Sequence, residues 1–415
     1  MPHAILSPSG AAKWMSCAGS AAMEDGLPNP SSKYSDQGTA AHFLASEWLT
    51  TPAATSRDFL DRTICVYEDE VCWDRSDPKP GFTEWSVDEE MLYHIQRYID
   101  NIKQYQTGGR LFVEQRLPID SLTGEDGAEG TADAVILRDD ELQVHDLKYG
   151  MGIEVQAERN SQLMIYALAA YKKYNHVAAL PIQKIRLVIH QPRKNHFPEW
   201  SCTLGELLEF EDEVVLKSSI AWNIIQVKKR TGDVNIVHLS PGLHCKNGFC
   251  RARAECPAIA GSIVAATADG FENLDEGDAL TLTDKMQMIP MVEDWCKAVR
   301  AKVESELFLG HDVPGYKLVQ GKKGNRRWTD NEIVEELMKS MRIKHEYIYD
   351  YKLVSPTSIE KYVKEEHIKP KQWEKLQEVI VQSEGVPSVA PVTDKRPALL
   401  VAEETFEDVD DILNF

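Results

Sequence analysis

GTADAVIL (residues 130–137) and LQVHDLK (residues 142–148) are short runs in which β-branched and apolar residues predominate. The turn sequence RDD at residues 138–140 separates them, so they are predicted to form two neighbouring antiparallel strands. A similar run at residues 111–117 comes before them, across a second turn sequence at residues 123–127. The three runs together predict a β-meander.

Amphipathic patterns on both sides of this meander predict helices and a further strand. The helices cover residues 36–49, 86–104, 158–174 and 204–230, and the strand covers residues 185–190. A helix, three strands, a helix and a strand in this order favour an α/β domain, with a central mixed sheet flanked by helices. The segment at residues 51–83 is compatible with a strand pair or an irregular insertion.

The composition limits the possible functions. The chain has 415 residues, and 46 Lys and Arg against 66 Asp and Glu give a formal net charge of −20. This acidity excludes a uniformly basic nucleic-acid binder, so a nucleic-acid site would need a local basic groove or bridging metal ions. There is no run of about 18 apolar residues and no signal-peptide pattern at the start. We therefore expect a cytoplasmic protein with no membrane association.

Changes in composition along the chain predict three regions. Residues 1–260 form the α/β core and end in a cysteine-rich segment, residues 261–384 form a mostly helical region, and residues 385–415 form a flexible acidic tail. The tail resembles those by which single-strand-binding proteins recruit partners, but it could also mimic DNA or only aid solubility. A basic hairpin is predicted at about residues 314–329. Its cations could contact DNA or simply be solvated, and they are Lys322, Lys323, Arg326 and Arg327.

Asp133, Asp146 and Lys148 are the residues most indicative of chemistry. Residues two apart on a strand share a face, so Asp146 and Lys148 point to the same side of the sheet. Two carboxylates on one side can bind Mg²⁺ or Mn²⁺. A neighbouring ammonium can orient or deprotonate a water, or stabilise the charge that develops on a phosphate. Taken alone, an Asp-x-Lys triplet is more often an ordinary surface ion pair.

Four further residues fit the same site. Glu114 lies on the preceding strand, and His42 lies on the first predicted helix, from which it could reach the carboxylates. Gln162 and Tyr166 are four residues apart and therefore share one face of the helix that follows the meander.

These residues and their spacing resemble the PD-(D/E)xK nuclease superfamily in its RecB-type branch. The resemblance implies that Asp133 and Asp146 are catalytic metal ligands, that Lys148 is the catalytic lysine and that His42 is an additional metal ligand. It also implies that Gln162 and Tyr166 position DNA and that Glu114 is an accessory catalytic acid. Phrases along nearly the whole chain, including QGTAAHFLA and HDLKYGMG, are similar to a family of phage and prophage proteins grouped with these nucleases.

Three of the eight cysteines, Cys245, Cys250 and Cys256, fall within twelve residues. Clustered thiols in a long cytosolic chain favour metal ligation over a disulfide framework. Together with Cys17 they resemble the cysteines of the iron–sulfur nucleases in the same branch, AddB-type and CRISPR-adaptation nucleases among them, which implies a [4Fe-4S] cluster. Four residues separate Cys245 from Cys250, where the family commonly has two, so Zn²⁺ remains an alternative, with His244 as a possible ligand. Reduced buried thiols are the third possibility.

The resemblance implies a metal-dependent DNA nuclease, an exonuclease used by a phage in recombination or DNA processing. The first alternative is a non-catalytic DNA-binding or recruitment protein of the same fold that acts through its acidic tail. The second is an RNA-directed or CRISPR-related processing nuclease.

Overall fold

The computed structural model describes residues 4–29, 32–67, 70–74, 82–247, 250–272, 282–317, 339–340, 356–365 and 369–377. The chain forms two compact units, Met1–Val319 and Gln320–Phe415. No helix in the described ranges combines the length and the apolar character that crossing a membrane requires.

The first unit contains both helices and strands. Its helices are α1 (Ala11–Trp14), α2 (Ser20–Glu24), α3 (Lys33–Thr50), α4 (Glu89–Gln106), α5 (Asp120–Thr123), α6 (Ser161–Tyr174), α7 (Leu204–Thr231), α8 (Leu243–Asn247), α9 (Pro257–Glu272) and α10 (Leu282–Phe308). Its strands are β1 (Thr63–Tyr67), β2 (Glu70–Trp73), β3 (Thr83–Ser86), β4 (Arg110–Pro118), β5 (Glu129–Arg138), β6 (Glu141–Leu147), β7 (Lys184–His190) and β8 (Glu199–Thr203). The described residues of the second unit include α11 (Pro356–Lys364) and α12 (Pro370–Gln377).

The central sheet has five strands in the order β4-β5-β6-β7-β8. Strands β4, β5 and β6 form the predicted antiparallel meander, β7 runs parallel to β6, and β8 closes the sheet in the antiparallel sense. A parallel pair needs a crossover connection, and α6 is the helix in the crossover from β6 to β7. The prediction of an α/β core with a mixed sheet is therefore confirmed.

Helices cover the sheet and bury its apolar side chains in two clusters. On one side α6 and α7 pack against apolar residues of β5, β6 and β7, such as Val135, Val144 and Leu187. On the other side α3 and α4 pack against Ala134 and Leu147. Eight consecutive residues of α6 are buried, as expected for a helix enclosed on all sides, and they are Leu163, Met164, Ile165, Tyr166, Ala167, Leu168, Ala169 and Ala170.

The segment that follows α3 forms a second, smaller sheet. It is antiparallel and has the strand order β2-β1-β3. This resolves the choice between a strand pair and an irregular insertion in favour of three strands. Cys65 and Cys72, which look isolated in the sequence, lie opposite each other on β1 and β2.

Some predicted boundaries differ from the observed ones. The helix predicted to start at Asp36 starts at Lys33, because the Ser32 side chain caps it by accepting the backbone N–H of Ser35 at 3.1 Å. Strand β8 was not predicted. Helix α9 spans the domain boundary predicted after residue 260. The cations of the basic hairpin and the acidic tail lie outside the described residues.

Candidate functional site

Asp133 and Asp146 lie side by side on neighbouring strands. Ala134 of β5 pairs with His145 of β6 at the end of their ladder, so Asp133 and Asp146 each lie one residue beyond this last pair, at the same end of the sheet. The charge of Asp133 contributes to raising the pKa of Asp146, which shows that the two carboxylates are close. The backbone N–H of Leu147 also donates to Oδ2 of Asp133 at 2.6 Å, which fixes the carboxylate against the end of β6.

His42 reaches Asp133 from helix α3. Its Nδ1 lies 3.1 Å from Oδ1 of Asp133. Burial disfavours a charged imidazole, but the negative charges of Asp133, Glu114 and Asp146 outweigh it and raise the pKa of His42 to about 9. Burial likewise favours a neutral Asp133, but the charge and hydrogen bond of His42 lower the pKa of that carboxyl. The two groups therefore form an ion pair when no other cation is present.

Glu114 completes a group of three possible ligands. Ligand atoms of His42, Glu114 and Asp133 all lie within 4.8 Å of one another. Burial and the nearby charge of Asp133 raise the pKa of Glu114 to about 7. Such a group offers one nitrogen and two carboxylate oxygens to a divalent cation.

The backbone of β4 is unusual at Glu114. Its φ is +48°, in the left-handed region that residues other than glycine seldom adopt. The alternation of side chains along the strand is interrupted here, since Phe112 and Gln115 are three residues apart and yet both contact Tyr174. The Phe112 ring stacks on Tyr174, and the Gln115 side chain accepts a hydrogen bond from its hydroxyl. A strained conformation of this kind is typical of functional sites.

Asp146, Lys148 and Gln162 form a closed network beside this group. Nζ of Lys148 lies 2.8 Å from Oδ2 of Asp146. The Gln162 amide joins both residues, since Nε2 donates to Oδ1 of Asp146 at 3.0 Å and Oε1 accepts from Lys148 at 3.1 Å. Burial raises the pKa of Asp146, although Lys148 opposes the shift. Burial also disfavours the ammonium, but the Asp146 carboxylate outweighs it and raises the pKa of Lys148.

Tyr166 lies one turn after Gln162 on α6 and is buried next to the same carboxylates. Burial, and then the charges of Asp146 and Asp133, raise the pKa of its hydroxyl. A Cβ at position 130 would lie 2.9 Å from Cε1 of Tyr166, so Gly130 allows β5 to approach the ring closely. Of the predicted DNA-contacting residues, Gln162 and Tyr166 therefore adjoin the carboxylates.

A second candidate site contains four cysteines. Cys17, Cys245, Cys250 and Cys256 all line one small cavity, which Ser20 and His244 also border. Nε2 of His244 and Oγ of Ser20 are buried and have no hydrogen-bond partner among the described residues. Of the described thiols and imidazoles here, no three place their ligand atoms within 4.8 Å of one another. The four predicted cysteines thus converge on one cavity.

Glu24 connects the N-terminal segment to the cysteine-rich segment. Its buried carboxylate lies 2.7 Å from Nζ of Lys13 and accepts the backbone N–H of Arg251 at 2.7 Å. Sγ of Cys17 accepts the backbone N–H of Ser240 at 3.4 Å. Burial, and then the charge of Glu24, raise the pKa of the Cys250 thiol to about 11. This thiol therefore stays neutral unless a cation compensates its charge.

The family of the chain follows from one comparison. A family described as "Protein of unknown function (DUF2800)" matches residues 3–397. The chain belongs to the DUF2800 family. This match covers the central sheet and both candidate sites of the DUF2800 chain.

Sequence reasoning found most of the site in this DUF2800 chain but missed two contributors. His42, Glu114 and Asp133 come together as one group, whereas Asp146 is engaged by Lys148 and Gln162. Tyr98, which was not singled out, borders the same small cavity as His42 and Glu114. It belongs to the apolar stripe of α4 and therefore has the sequence signature of a core residue. No local signal marks Glu24 as the link between the two segments.

Proposed function

We propose that this DUF2800 chain is a metal-dependent deoxyribonuclease of the PD-(D/E)xK type, in the RecB-type iron–sulfur branch. One observation carries the proposal: Asp146, Lys148 and Gln162 form a hydrogen-bonded network directly beside the group formed by His42 and Asp133. Phosphodiester hydrolysis needs cation ligands and a positive group together at one place. A structural ion pair alone would need neither Glu114 nor His42.

The ligand set fits Mn²⁺ or Mg²⁺. His42, Glu114 and Asp133 would hold the cation, and the imidazole among two carboxylates favours Mn²⁺ because nitrogen ligands suit transition metals better than Mg²⁺. When bound, the cation supplies Lewis acidity towards the phosphate and lowers the pKa of a water.

Lys148 acts as a cation towards the substrate. Because Asp146 raises its pKa, it remains an ammonium at neutral pH and donates hydrogen bonds to a phosphate oxygen instead of accepting a proton. Gln162 orients both Lys148 and Asp146, and Tyr166 packs beneath it. These residues orient the scissile phosphate against the cation site.

The cysteine cavity would hold a [4Fe-4S] cluster, with Zn²⁺ as the alternative. Four thiolates suit either group, since a [4Fe-4S] cluster takes one thiolate on each iron atom and tetrahedral Zn²⁺ takes four at about 2.3 Å. The visible absorption and the iron content of anaerobically purified protein would distinguish the cluster from Zn²⁺.

The biological setting belongs to the same proposal. We propose that the substrate is DNA, degraded from its ends in the cytoplasm of a bacterial host during phage recombination. The acidic segment at residues 403–415 would recruit a single-strand-binding or recombination protein.

The nuclease proposal is tested with end-labelled linear DNA and Mn²⁺. We expect Asp146→Ala and Lys148→Ala each to reduce cleavage by at least about 100-fold. Asp140→Ala and Lys103→Ala, which change exposed residues of the same types away from the site, should cleave like the parent. Equal cleavage by all four variants would refute the assignment. A parent that binds DNA without cutting it would favour the non-catalytic recruitment protein.

A further inference from the structure

The outward side of α7 carries large apolar side chains that no described residue covers. Their exposed fractions are 40% for Leu208, 40% for Val215, 62% for Leu216, 43% for Ile220 and 38% for Val227. The opposite side of the helix is apolar as well, but it is buried against the domain core through Leu207, Val214, Ala221, Ile224 and Ile225. Helix α7 therefore presents an apolar side that does not pack against its own domain.

Three of these residues form part of a regular stripe. Leu216, Ile220 and Val227 follow each other at the spacing of one helical face, and Glu209 and Arg230 continue that face at its two ends. From Glu209 to Arg230 the stripe spans 21 residues, which corresponds to about 32 Å along the helix. An apolar centre between oppositely charged ends is typical of a surface that packs against another helix.

Charge is segregated along α7. Its first half contains five acidic residues and one basic residue, whereas its second half contains three basic residues and no acidic one. The acidic residues are Glu206, Glu209, Glu211, Asp212 and Glu213, the basic residue of the first half is Lys217, and those of the second half are Lys228, Lys229 and Arg230. Several of these charged residues already form ion pairs within the unit. Lys217 pairs with Glu213, and Glu211 pairs with Lys172 of α6. Glu209 and Arg230 lie at opposite ends of the exposed stripe, where a second molecule could pair with both.

We propose that the exposed stripe of α7 packs antiparallel against α7 of a second copy of this chain, around a two-fold axis near Ser219 and Ile220. In this register Glu209 of each copy lies beside Arg230 of the other, Leu216 and Ile220 of both copies lie within about one turn of the axis, and Val227 lies about two turns from it. A two-fold interface of this kind uses the same surface twice and needs no other partner.

Charge complementarity favours a second copy of the chain as the partner and an antiparallel arrangement of the two helices. Two copies, each with a net charge of −20, repel each other at most orientations. A parallel arrangement would place acidic end against acidic end. The antiparallel arrangement instead brings each acidic end to a basic end, and it also aligns the two helix dipoles favourably.

Sedimentation velocity of the full chain over a range of concentrations tests the proposal. The parent should associate to twice its mass of 46.8 kDa. Leu216→Glu, which places a charge in the apolar centre of the interface on each of the two copies, should weaken association by at least about 100-fold. Leu180→Glu changes another exposed leucine, 53% exposed against 62% for Leu216, and should associate like the parent.

A charge swap distinguishes the proposed pairing of Glu209 with Arg230 from non-specific apolar contact. Glu209→Arg alone and Arg230→Glu alone should each weaken association by about tenfold, because two like-charged contacts arise in every dimer. The double variant exchanges both charges and should regain the parental affinity. A monomeric parent, a dimer unaffected by Leu216→Glu, or a double variant no better than the single ones would overturn the proposal.

Discussion

Nδ1 of His42 lies 3.1 Å from Oδ1 of Asp133, although 91 residues separate them in the chain. Helix α3 packs on the sheet so that its histidine meets the carboxylate of β5. A protonated imidazole pairs with the same carboxylate that would bind a divalent cation. Proton and metal compete for one set of ligands, and the competition can be measured.

We expect Mn²⁺ binding to strengthen as pH rises from 6 to 9. His42, with its pKa raised to about 9, and Glu114, with its pKa raised to about 7, both carry protons at pH 6 and must release them to bind a metal. Calorimetric titration with Mn²⁺ should show the release of about two protons per bound ion at pH 6 and of about one at pH 8, where only His42 still carries its proton. His42→Gln should bind more weakly, with a shallower pH dependence. A pH-independent affinity in the parent would contradict this ligand set.

Lys148 should affect cleavage far more than metal binding. Its Nζ contacts Asp146 and Gln162, whereas His42, Glu114 and Asp133 form a separate ligand group. Lys148→Met should therefore keep the Mn²⁺ affinity within about threefold while cleavage of linear DNA falls by at least about 100-fold. Lys103→Met is the matched control on the surface of α4. If Lys148→Met lost Mn²⁺ affinity and activity together, Lys148 would be acting through the cation site.

The sequence predicted the central meander and its flanking helices because periodicity is a local property. Each strand and each amphipathic helix carries its own pattern, and the α/β order follows from their sequence along the chain. The alternation on β6 also predicted that Asp146 and Lys148 share one face, and Nζ of Lys148 lies 2.8 Å from Oδ2 of Asp146. Strand β8 was missed although Trp200 and Cys202 alternate with polar residues, because it is only five residues long and is followed directly by α7.

Other parts of the sites depend on contacts that no local pattern encodes. Glu114 faces the ligand group through a left-handed φ, and no residue type in its vicinity signals this conformation. The carboxylate of Glu24 meets the backbone of Arg251 across 227 residues. Tyr98 borders the group of His42, Glu114 and Asp133 from the apolar stripe of α4, where it looks like any other core residue.

Loss of the Glu24 charge should destabilise the protein markedly. The buried carboxylate is held by Lys13 and by the backbone N–H of Arg251, and Glu24→Gln leaves the Lys13 ammonium without its partner. Removal of one member of a buried ion pair costs about 3 kcal/mol of the free energy of unfolding. Glu158→Gln, at an exposed position, should leave stability unchanged. Chemical denaturation of the three proteins checks this, and equal midpoints would show that Glu24 does not fasten the two segments.

A buried chain of polar side chains on β6 and β7 makes stability depend on pH. The Gln143 amide donates to Glu141 at 2.7 Å, so its Oε1 accepts from Nε2 of His145 at 3.1 Å. Nδ1 of His145 then accepts from Nε2 of His190 at 3.1 Å. Both imidazoles are neutral, since burial lowers the pKa of His145 and lowers that of His190 to about 3.

The free energy of unfolding should therefore fall as the pH is lowered. The pKa of an unfolded histidine is about 6.5, so below that pH the unfolded state binds protons that folded His190 does not. Stability from His190 is complete above pH 7.5 and is lost progressively as the pH falls from 6.5 towards 3, by about 2 kcal/mol at pH 5. Other groups titrate in the same range, so the measurement compares parent and His190→Gln by denaturation at pH 7.5 and pH 5. The advantage of the parent over the variant should shrink by about 2 kcal/mol between the two, whereas exposed His176→Gln should show a constant difference. A constant difference for His190→Gln as well would mean that His190 is protonated in the folded protein.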